Sequence, residues 1–335
     1  MKKGRAFSLL SGGLDSLLAT RLIMDQGIEV IALHFITPFF GYGQKGREAQ
    51  FEERLRRLYG IQSRVIDVSG EYFSILRHPR YGYGKNFNPC IDCKILLFSK
   101  ARTIMEAEKA DFLVTGEVLG QRPMSQRRDT MRIVERDSGT DGILLRPLSA
   151  KNLKPTHPEL AGLVDREKLF GFTGRSRKPQ MKLAEEMGLH HYPSPAGGCL
   201  LTDPVLAGRI RKYFNQFPEI TVNEILLLQV GRHFQLPDGG HLVVGRRDEE
   251  NQKLIDLWQE RDGLLRVLEI PGPLGLIKGE TGEEGLRMAA AIVARYSKAK
   301  EREIVEIQYG QNWSTLTHML RVVPAKDDQI SGLRF

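Results

Sequence analysis

The sequence predicts an α/β protein in which a Rossmann-like parallel sheet is followed by a second, smaller α+β domain. Strand-like apolar runs alternate with amphipathic helices over residues 5–115, the pattern of a parallel sheet covered by helices on both faces. Beyond about residue 203 this alternation is lost. The chain has 335 residues, of which 41% are hydrophobic and 27% charged, so it is long enough for two domains.

The first domain is expected over residues 1–204. Its predicted elements, in chain order, are a strand over 6–10, a Gly-Gly turn, a helix from 14 to 22, a strand over 30–35, a helix over 47–58, a strand over 64–68, a tyrosine- and glycine-rich loop, a helix from near 93 to near 110, a strand over 112–115, a candidate strand over 143–147 and a helix near 181–187. Ligands of such sheets bind at the carboxyl ends of the strands.

The second domain is expected over residues 205–335. Its predicted elements are helices near 205–214, 249–257 and 283–296 and strands near 242–245, 265–270 and 304–308. The mixed order indicates an α+β arrangement.

The charge and hydropathy of the chain limit its partners. A formal net charge of +8 favours a polyanionic partner without identifying it. The chain has two basic clusters: Arg122, Arg127, Arg128 and Arg132 form the first, and Arg175, Arg177, Lys178 and Lys182 the second. Such clusters are expected of loops that neutralise phosphates. The alternative is two solvated surface faces. No apolar run approaches the roughly 20 residues that span a bilayer, and no cleavable apolar segment begins the chain. A cytoplasmic protein without a membrane partner is expected.

A phosphate-binding turn is predicted at Ser11-Gly12-Gly13-Leu14-Asp15-Ser16, between the first strand and the first helix. Backbone N–H groups and the positive end of a helix dipole bind anions at such a turn, and glycines let the backbone approach the phosphates. The two serine hydroxyls can donate to phosphate oxygens. Because Asp15 is negative, its presence implies Mg²⁺ between carboxylate and phosphate.

Three cysteines form the second candidate site: Cys90 and Cys93, as a CxxC pair at the start of a predicted helix, and Cys199 in a loop after Gly197 and Gly198. Three thiolates can hold three irons of a cubane cluster and leave the fourth open to exogenous sulfide, which is the favoured interpretation.

Three alternatives to this cluster remain open. A zinc ion would take His190 or His191 as a fourth ligand. Cys199 would otherwise accept a persulfide that a CxxC cysteine resolves as a disulfide. The last alternative is three unrelated buried cysteines.

The phosphate-binding turn resembles the SGGxDS signature of the PP-loop ATP pyrophosphatases, whose fold is of the adenine nucleotide alpha hydrolase-like type. The segment from Asn88 to Lys94, followed by Thr115-Gly116, is similar to the 2-thiouridylases of tRNA. Thr115-Gly-Glu-Val-Leu-Gly-Gln121, followed by Arg146-Pro-Leu, is similar to the tRNA 4-thiouridine synthetases. The chain thus resembles the PP-loop tRNA thiolases over most of residues 5–205.

This resemblance implies the roles of individual residues. Cys90, Cys93, Cys199 and Asp15 are expected to be catalytic, and the three cysteines are also the expected metal ligands. The expected ATP-binding residues are Ser11, Gly12, Gly13, Asp15, Ser16, His34, Thr115, Gly116 and Gln121. The expected RNA-binding residues are Arg122, Arg127, Arg128, Arg175, Arg177, Lys178, Arg246 and Arg247. The implied cofactors are ATP, Mg²⁺ and a 4Fe–4S cluster.

The chain also departs from these families. The amino-terminal RNA-binding extension of the 4-thiouridine synthetases is not found, and Glu117 stands where 2-thiouridylases usually have His. The stretch from Gly245 to Asn251, with Arg246 and Arg247 before a helix that Asp248 would cap, is similar to the RNA-binding domain of NFACT-type proteins. That domain is the candidate for a second RNA-binding surface. A packing domain with a solvated basic turn is the alternative.

The expected activity is ATP-dependent thiolation of a tRNA uridine, by adenylation of a base carbonyl, with C4 favoured over C2, and sulfur transfer through the three cysteines. The expected partners are tRNA and a sulfur donor, either sulfide or a persulfide derived from a cysteine desulfurase. The alternatives are sulfuration of a small molecule, thiolation by persulfide without a cluster, and a non-catalytic RNA-binding protein.

Overall fold

The computed structural model describes residues 4–193, 199–217, 219–312 and 316–335; Gly197 and Gly198 lie outside the described residues. The chain divides into two compact units, Met1–Pro204 and Val205–Phe335. None of the helices within the described ranges is long and apolar enough to cross a membrane.

The first unit contains a five-stranded, fully parallel sheet, as predicted. Its strands, in the spatial order β3-β2-β1-β4-β5, are β1 (Arg5–Leu9), β2 (Glu29–Ile36), β3 (Gln62–Asp67), β4 (Phe112–Thr115) and β5 (Leu144–Leu145). The helices are α1 (Leu14–Met24), α2 (Glu48–Tyr59), α3 (Ser69–Arg77), α4 (Cys90–Ala107), α5 (Arg128–Ser138), α6 (His157–Leu160) and α7 (Lys178–Glu186).

Alternation along β1 builds a core on each face of this sheet. Ala6 packs with Leu17 and Leu18 of α1 in one cluster, whereas Phe7 packs with Phe98 of α4 in the other. Successive side chains of a strand point to opposite faces, so α1 and α4 cover opposite sides. The carboxyl ends of β1 and β4 remain side by side, because these strands pair from Ala6 with Phe112 to Leu9 with Thr115.

The structure corrects three element predictions in this unit. Helix α3 lies where a loop was predicted, because Tyr72 and Leu76 form a buried stripe at helical spacing. Helix α5 lies where a basic loop was predicted, and its apolar face includes Met131 and Val134. Helix α4 begins at Cys90 rather than near Cys93, so both cysteines of the CxxC pair lie in its first turn.

The second unit is α+β, as predicted. Its six-stranded sheet, antiparallel at every pairing of neighbours, has the order β11-β10-β8-β9-β7-β6. The strands are β6 (Arg232–Gln235), β7 (His241–Val244), β8 (Gly263–Val267), β9 (Gly275–Lys278), β10 (Val305–Gly310) and β11 (His318–Val322). The helices are α8 (Pro204–Gln216), α9 (Val222–Leu228), α10 (Asp248–Leu257), α11 (Glu283–Arg295) and α12 (Asp327–Ser331). Strands β6, β9 and β11 were not predicted.

Candidate nucleotide and sulfur site

The predicted phosphate-binding turn joins β1 to α1. Gly13 occupies the N-cap position of α1, and Gly12 has a φ of +79°, a backbone conformation that favours glycine. The Ser16 hydroxyl donates to the Gly13 carbonyl at 2.8 Å and lies 3.2 Å from the Ser11 hydroxyl. Two hydroxyls and the amino end of a helix dipole are therefore concentrated at one turn, which suits an anion.

Gly116 follows β4 and packs directly on this turn. A Cβ atom at this position would lie 2.5 Å from the carbonyl carbon and oxygen of Asp15 and from the backbone nitrogen of Ser16. Only a residue without a side chain allows this approach. The structure thus places Thr115, which is buried at the end of β4, and Gly116 beside the first turn of α1.

Only one oxygen of the Asp15 carboxylate, Oδ2, has partners among the described residues. Its Oδ2 accepts a hydrogen bond from Gln121 Nε2 at 2.6 Å and lies 3.6 Å from the Arg177 guanidinium. Gln180 Nε2 in turn donates to Gln121 Oε1 at 2.9 Å. Asp15 Oδ1 is buried without a hydrogen-bond partner among the described residues. An open carboxylate oxygen fits Mg²⁺, which keeps most of its shell for water and substrate phosphates.

Gln180 is a residue of this site that sequence reasoning missed. It is 1% exposed and lies on the buried face of α7 with Leu183 and Ala184. A polar residue at an apolar position of an amphipathic helix is the signal that indicates such a partner.

His34, predicted to bind ATP, supports the turn from within the sheet. Its Nδ1 donates to the Leu10 carbonyl at 2.8 Å, and its ring centroid lies 4.4 Å from that of Phe51. Burial lowers the pKa of His34, against the opposing effect of the Leu10 hydrogen bond. The neutral ring therefore fixes the chain immediately before the phosphate-binding turn.

The structure brings the three cysteines together as free, partly buried thiols. Burial raises the pKa of Cys93 to about 12. Cys199 and Cys90 also raise this pKa, whereas Tyr72 and Lys94 lower it. Burial likewise raises the pKa of Cys199, which Cys90 raises further. Each sulfur therefore lies within electrostatic range of the other two.

Hydrogen bonds hold the Cys199 segment against the CxxC helix. Asn86 Nδ2 donates to the Thr202 carbonyl at 2.6 Å, and the Phe87 backbone N–H donates to the Leu201 carbonyl at 3.1 Å. Asn88 Nδ2 donates to Cys90 Sγ at 3.0 Å. One short segment thus contacts both parts of the cysteine site.

The sequence predicts that the three cysteines hold a metal. Within the ranges that the structure describes, no group of three or more His, Cys, Asp or Glu side chains is arranged to hold a metal ion. This holds for the three cysteines as well as for the zinc alternative with His190 or His191, so neither the cluster nor zinc finds an assembled ligand set among these residues. The three thiols do match, in number and type, the ligands of a cluster with one open iron.

A buried ion network connects the cysteines to the nucleotide-binding turn. Lys94, next to Cys93, pairs with Glu117, which follows Gly116 in the chain. Arg146 Nε donates to the other Glu117 oxygen at 2.9 Å. Burial by itself would raise the pKa of Glu117, but the two cations hold it below its ordinary value. Both candidate sites thus share one rigid connection.

The predicted RNA-binding residues of the first unit have different surroundings. Arg127 caps α5 instead of lying in a loop and pairs with Asp129 at 2.9 Å. Arg128 donates to the Asn152 carbonyl at 3.0 Å. Arg177 lies beside Asp15, at the phosphate-binding turn. The exposed members are Arg122, Arg127, Arg128, Arg175 and Lys178.

In the second unit, Arg246 and Arg247 are exposed immediately before α10. The expected cap is wrong: Arg247 occupies the N-cap position and Asp248 is the first helical residue. Glu250 instead accepts the Arg246 backbone N–H at 2.7 Å and pairs with its guanidinium at 3.0 Å.

Two family models match separate parts of the chain. Residues 1–154 match the family described as thiamine biosynthesis protein (ThiI), and residues 231–334 match the NFACT protein RNA binding domain. A probable tRNA sulfurtransferase of Thermococcus kodakarensis is 31% identical over 147 residues, which cover 44% of this chain and 37% of that protein. The chain thus spans little more than a third of the curated relatives it matches.

Two solved structures are also similar. One, a 4-thiouridine synthetase in complex with RNA and ATP, is 20% identical with a TM-score of 0.39, over 67% of this chain and 53% of that one. The other, the U34-tRNA thiolase NcsA from Methanococcus maripaludis with its [4Fe-4S] cluster, is 18% identical with a TM-score of 0.33, over 68% of this chain and 74% of that one. By sequence, the first part of the chain is thus similar to the ThiI family and to probable tRNA sulfurtransferases, and residues 231–334 are similar to the NFACT protein RNA binding domain.

Proposed function

We propose that the chain is an ATP-dependent tRNA thiolase that adenylates a uridine carbonyl and replaces its oxygen with sulfur. The observation that carries this proposal is the connection between the two candidate sites. Gly116 packs against the phosphate-binding turn, and Glu117, the next residue, pairs with Lys94 beside Cys93. Adenylation acts on the oxygen and sulfur transfer on the carbon of the same carbonyl group, so the two steps require adjacent sites.

ATP is proposed to bind with its phosphates at Ser11, Gly12, Gly13 and Ser16. Asp15 Oδ1, which is buried and unpartnered within the described ranges, would contact a Mg²⁺ ion shared with the phosphates. Gln121 orients this carboxylate, and Arg177, which lies 3.6 Å from its other oxygen, supplies a positive charge for the phosphates.

Adenylation makes the uridine oxygen a leaving group. The carbonyl oxygen attacks the α-phosphorus of ATP, and the bond from that phosphorus to pyrophosphate breaks. A sulfur nucleophile then attacks the activated carbon, and the carbon–oxygen bond breaks as AMP leaves with the oxygen. Similarity of the 115–121 segment to 4-thiouridine synthetases favours C4 over C2 as the reacting carbon.

Cys90, Cys93 and Cys199 are proposed to hold the sulfur. Three thiolates match in number and type the ligands of a 4Fe–4S cluster, which when bound would supply an open iron position for sulfide. A persulfide on Cys199 is the form without a cluster. The chain's contribution is to hold Cys199 against the CxxC pair through Asn86 and Phe87. With a cluster, sulfide would replenish the transferred sulfur. Without one, a CxxC thiol would release the thiolated base by forming a disulfide with Cys199, and after a thiol reductant reopens that disulfide, a persulfide delivered by a cysteine desulfurase would replenish the sulfur.

The tRNA is proposed to contact both units. Arg122, Arg127, Arg128, Arg175 and Lys178 provide exposed positive charge in the first unit. The match to the NFACT protein RNA binding domain over residues 231–334 supports a second contact through Arg246 and Arg247. Phosphate contacts of this kind supply affinity that falls with salt.

The proposal is tested with purified protein, ATP, Mg²⁺, sulfide, ferrous iron and unmodified tRNA under argon. We expect tRNA to stimulate pyrophosphate release, and mass spectrometry of digested tRNA to show 4-thiouridine. Ser16→Ala should lower pyrophosphate release about tenfold through loss of a phosphate donor, whereas Ser74→Ala, an exposed position of α3, should not. Release without a response to tRNA would favour a small-molecule acceptor. Formation of 2-thiouridine would move the reaction to C2.

A further inference from the structure

Tyr72 is a buried residue of α3 that neither the phosphate site nor the core explains fully. It is 0% exposed, and its ring centroid lies 5.5 Å from that of Phe39 and 5.7 Å from that of Phe40. These contacts account for an aromatic ring. They give no reason for a hydroxyl, since phenylalanine would fill the same space.

The Tyr72 side chain lies within electrostatic range of all three cysteines. Burial raises the pKa of Tyr72 well above its ordinary value, and the groups that raise it further are Cys93, Cys199 and Cys90. In turn, the Tyr72 hydroxyl lowers the pKa of Cys93, as a hydrogen-bond donor to a thiolate does. The phenol oxygen nevertheless has no hydrogen bond of regular geometry to any described residue.

A buried hydroxyl without a regular hydrogen-bond partner destabilises the folded protein. The free energy lost when the hydroxyl leaves water is recovered only if an acceptor is present. The cysteine sulfurs that influence Tyr72 become stronger acceptors when they carry negative charge as thiolate, sulfide or persulfide. Asn88 already provides one such contact, because its Nδ2 donates to Cys90 Sγ at 3.0 Å.

We propose that Tyr72 is a sulfur-binding residue, whose hydroxyl donates a hydrogen bond to the anionic sulfur held among Cys90, Cys93 and Cys199. This role rests on the proposed function of the cysteines. It pairs Tyr72 with Asn88, so that one donor from α3 and one from the segment before α4 contact the same sulfur site.

The test compares Tyr72→Phe with Tyr59→Phe, a second buried tyrosine outside the cysteine site. Tyr72→Phe keeps the ring and removes only the donor. In the metal- and sulfur-free protein we expect the Tm of Tyr72→Phe to rise by about 2–4 °C, because the substitution removes a buried hydroxyl that has no hydrogen-bond acceptor among the described residues. A hydroxyl with a structural partner would give the opposite sign.

The second measurement uses protein reconstituted with ferrous iron and inorganic sulfide under argon. We expect Tyr72→Phe to lose acid-labile sulfide about tenfold faster than wild type, as removal of one charge-assisted hydrogen bond implies. Its midpoint potential should become more negative, because a donor to sulfur stabilises the reduced state. Tyr59→Phe should match the wild type in both.

The outcomes separate this inference from the function on which it rests. If wild type retains sulfide while Tyr72→Phe behaves as Tyr59→Phe does, the role of Tyr72 is overturned and the thiolase proposal is untouched. A lower Tm of Tyr72→Phe with unchanged retention also overturns it, in favour of a structural hydrogen bond made by the hydroxyl in the sulfur-free protein. If wild type retains no sulfide, the sulfur site itself fails, and the role of Tyr72 with it.

Discussion

Glu117 shows how much a single buried charge contributes at the residue scale. Its side chain is 6% exposed and that of Arg146 2% exposed, and Lys94 contacts the same carboxylate. Glu117→Gln would keep the shape but leave two cations without their shared partner. Breaking a buried pair in this way costs roughly 3–5 kcal/mol. We expect a loss of this size in the free energy of unfolding, measured by urea denaturation.

Glu135→Gln is the matched control for this change. Glu135 also pairs with Arg146, but its side chain is 22% exposed, so water screens it more. Glu135→Gln should therefore lower the free energy of unfolding clearly less than Glu117→Gln does. Equal costs for both variants would show that burial does not determine the strength of this network.

Gly116 is the second residue whose replacement gives a definite outcome. In Gly116→Ala, the new methyl group would lie 2.5 Å from the backbone of Asp15 and Ser16, so the phosphate-binding turn must move. A displacement of this kind can reduce catalysis by about two orders of magnitude. We expect a similar loss in kcat/KM for ATP, measured by pyrophosphate release. Gly70→Ala, where a Cβ meets nothing within 4 Å, should show no such loss.

At the scale of elements, β6 and β7 enclose a pair of neutral histidines. His233 Nε2 donates to the Val230 carbonyl at 2.6 Å, so its Nδ1 accepts the hydrogen bond from His241 Nε2 at 2.9 Å. Protonation of His233 would bring two N–H groups face to face. Burial lowers the pKa of His233 well below its ordinary value and that of His241 to about 4.

This pair predicts a pH-dependent stability of the second unit. Because the folded pKa of His241 lies below the unfolded value of 6.5, the unfolded state binds more protons as the pH falls. Stability should be complete above pH 6.5 and decrease between about pH 6.5 and 4, by about 3 kcal/mol for His241. Both tryptophans, Trp258 and Trp313, belong to the second unit, so fluorescence-detected urea unfolding measures it. An unchanged midpoint between pH 7 and 5 would contradict this assignment.

At the scale of the whole molecule, the net charge of +8 predicts salt-dependent binding of tRNA. If Arg246 and Arg247 each neutralise a phosphate, their joint replacement by alanine should weaken binding and reduce the slope of log K against log[salt] by about 2. Fluorescence anisotropy with labelled tRNA measures both quantities. Lys253→Ala, an exposed position on α10, controls for net charge and should change the slope less.

Local pattern was sufficient for the phosphate-binding turn, because strand, glycine pair and helix are contiguous in sequence. Local pattern was insufficient for amphipathic helices that are rich in charged residues. Residues near Arg128 were expected to form a basic loop, yet α5 forms there because Met131 and Val134 are buried against the rest of the first unit. The partners Gln180 and Tyr72 were also missed, because each meets its site through tertiary contacts.

The sequence by itself determined the fold class, the phosphate-binding turn and the candidate cysteines, because apolar periodicity and contiguous motifs are local properties. Tertiary structure alone decided which distant groups meet. It brought Cys199 to Cys90 and Cys93, closed Gly116 onto Asp15, and placed Glu117 between Lys94 and Arg146. These contacts depend on strand order and on burial, which adjacency in the chain does not encode.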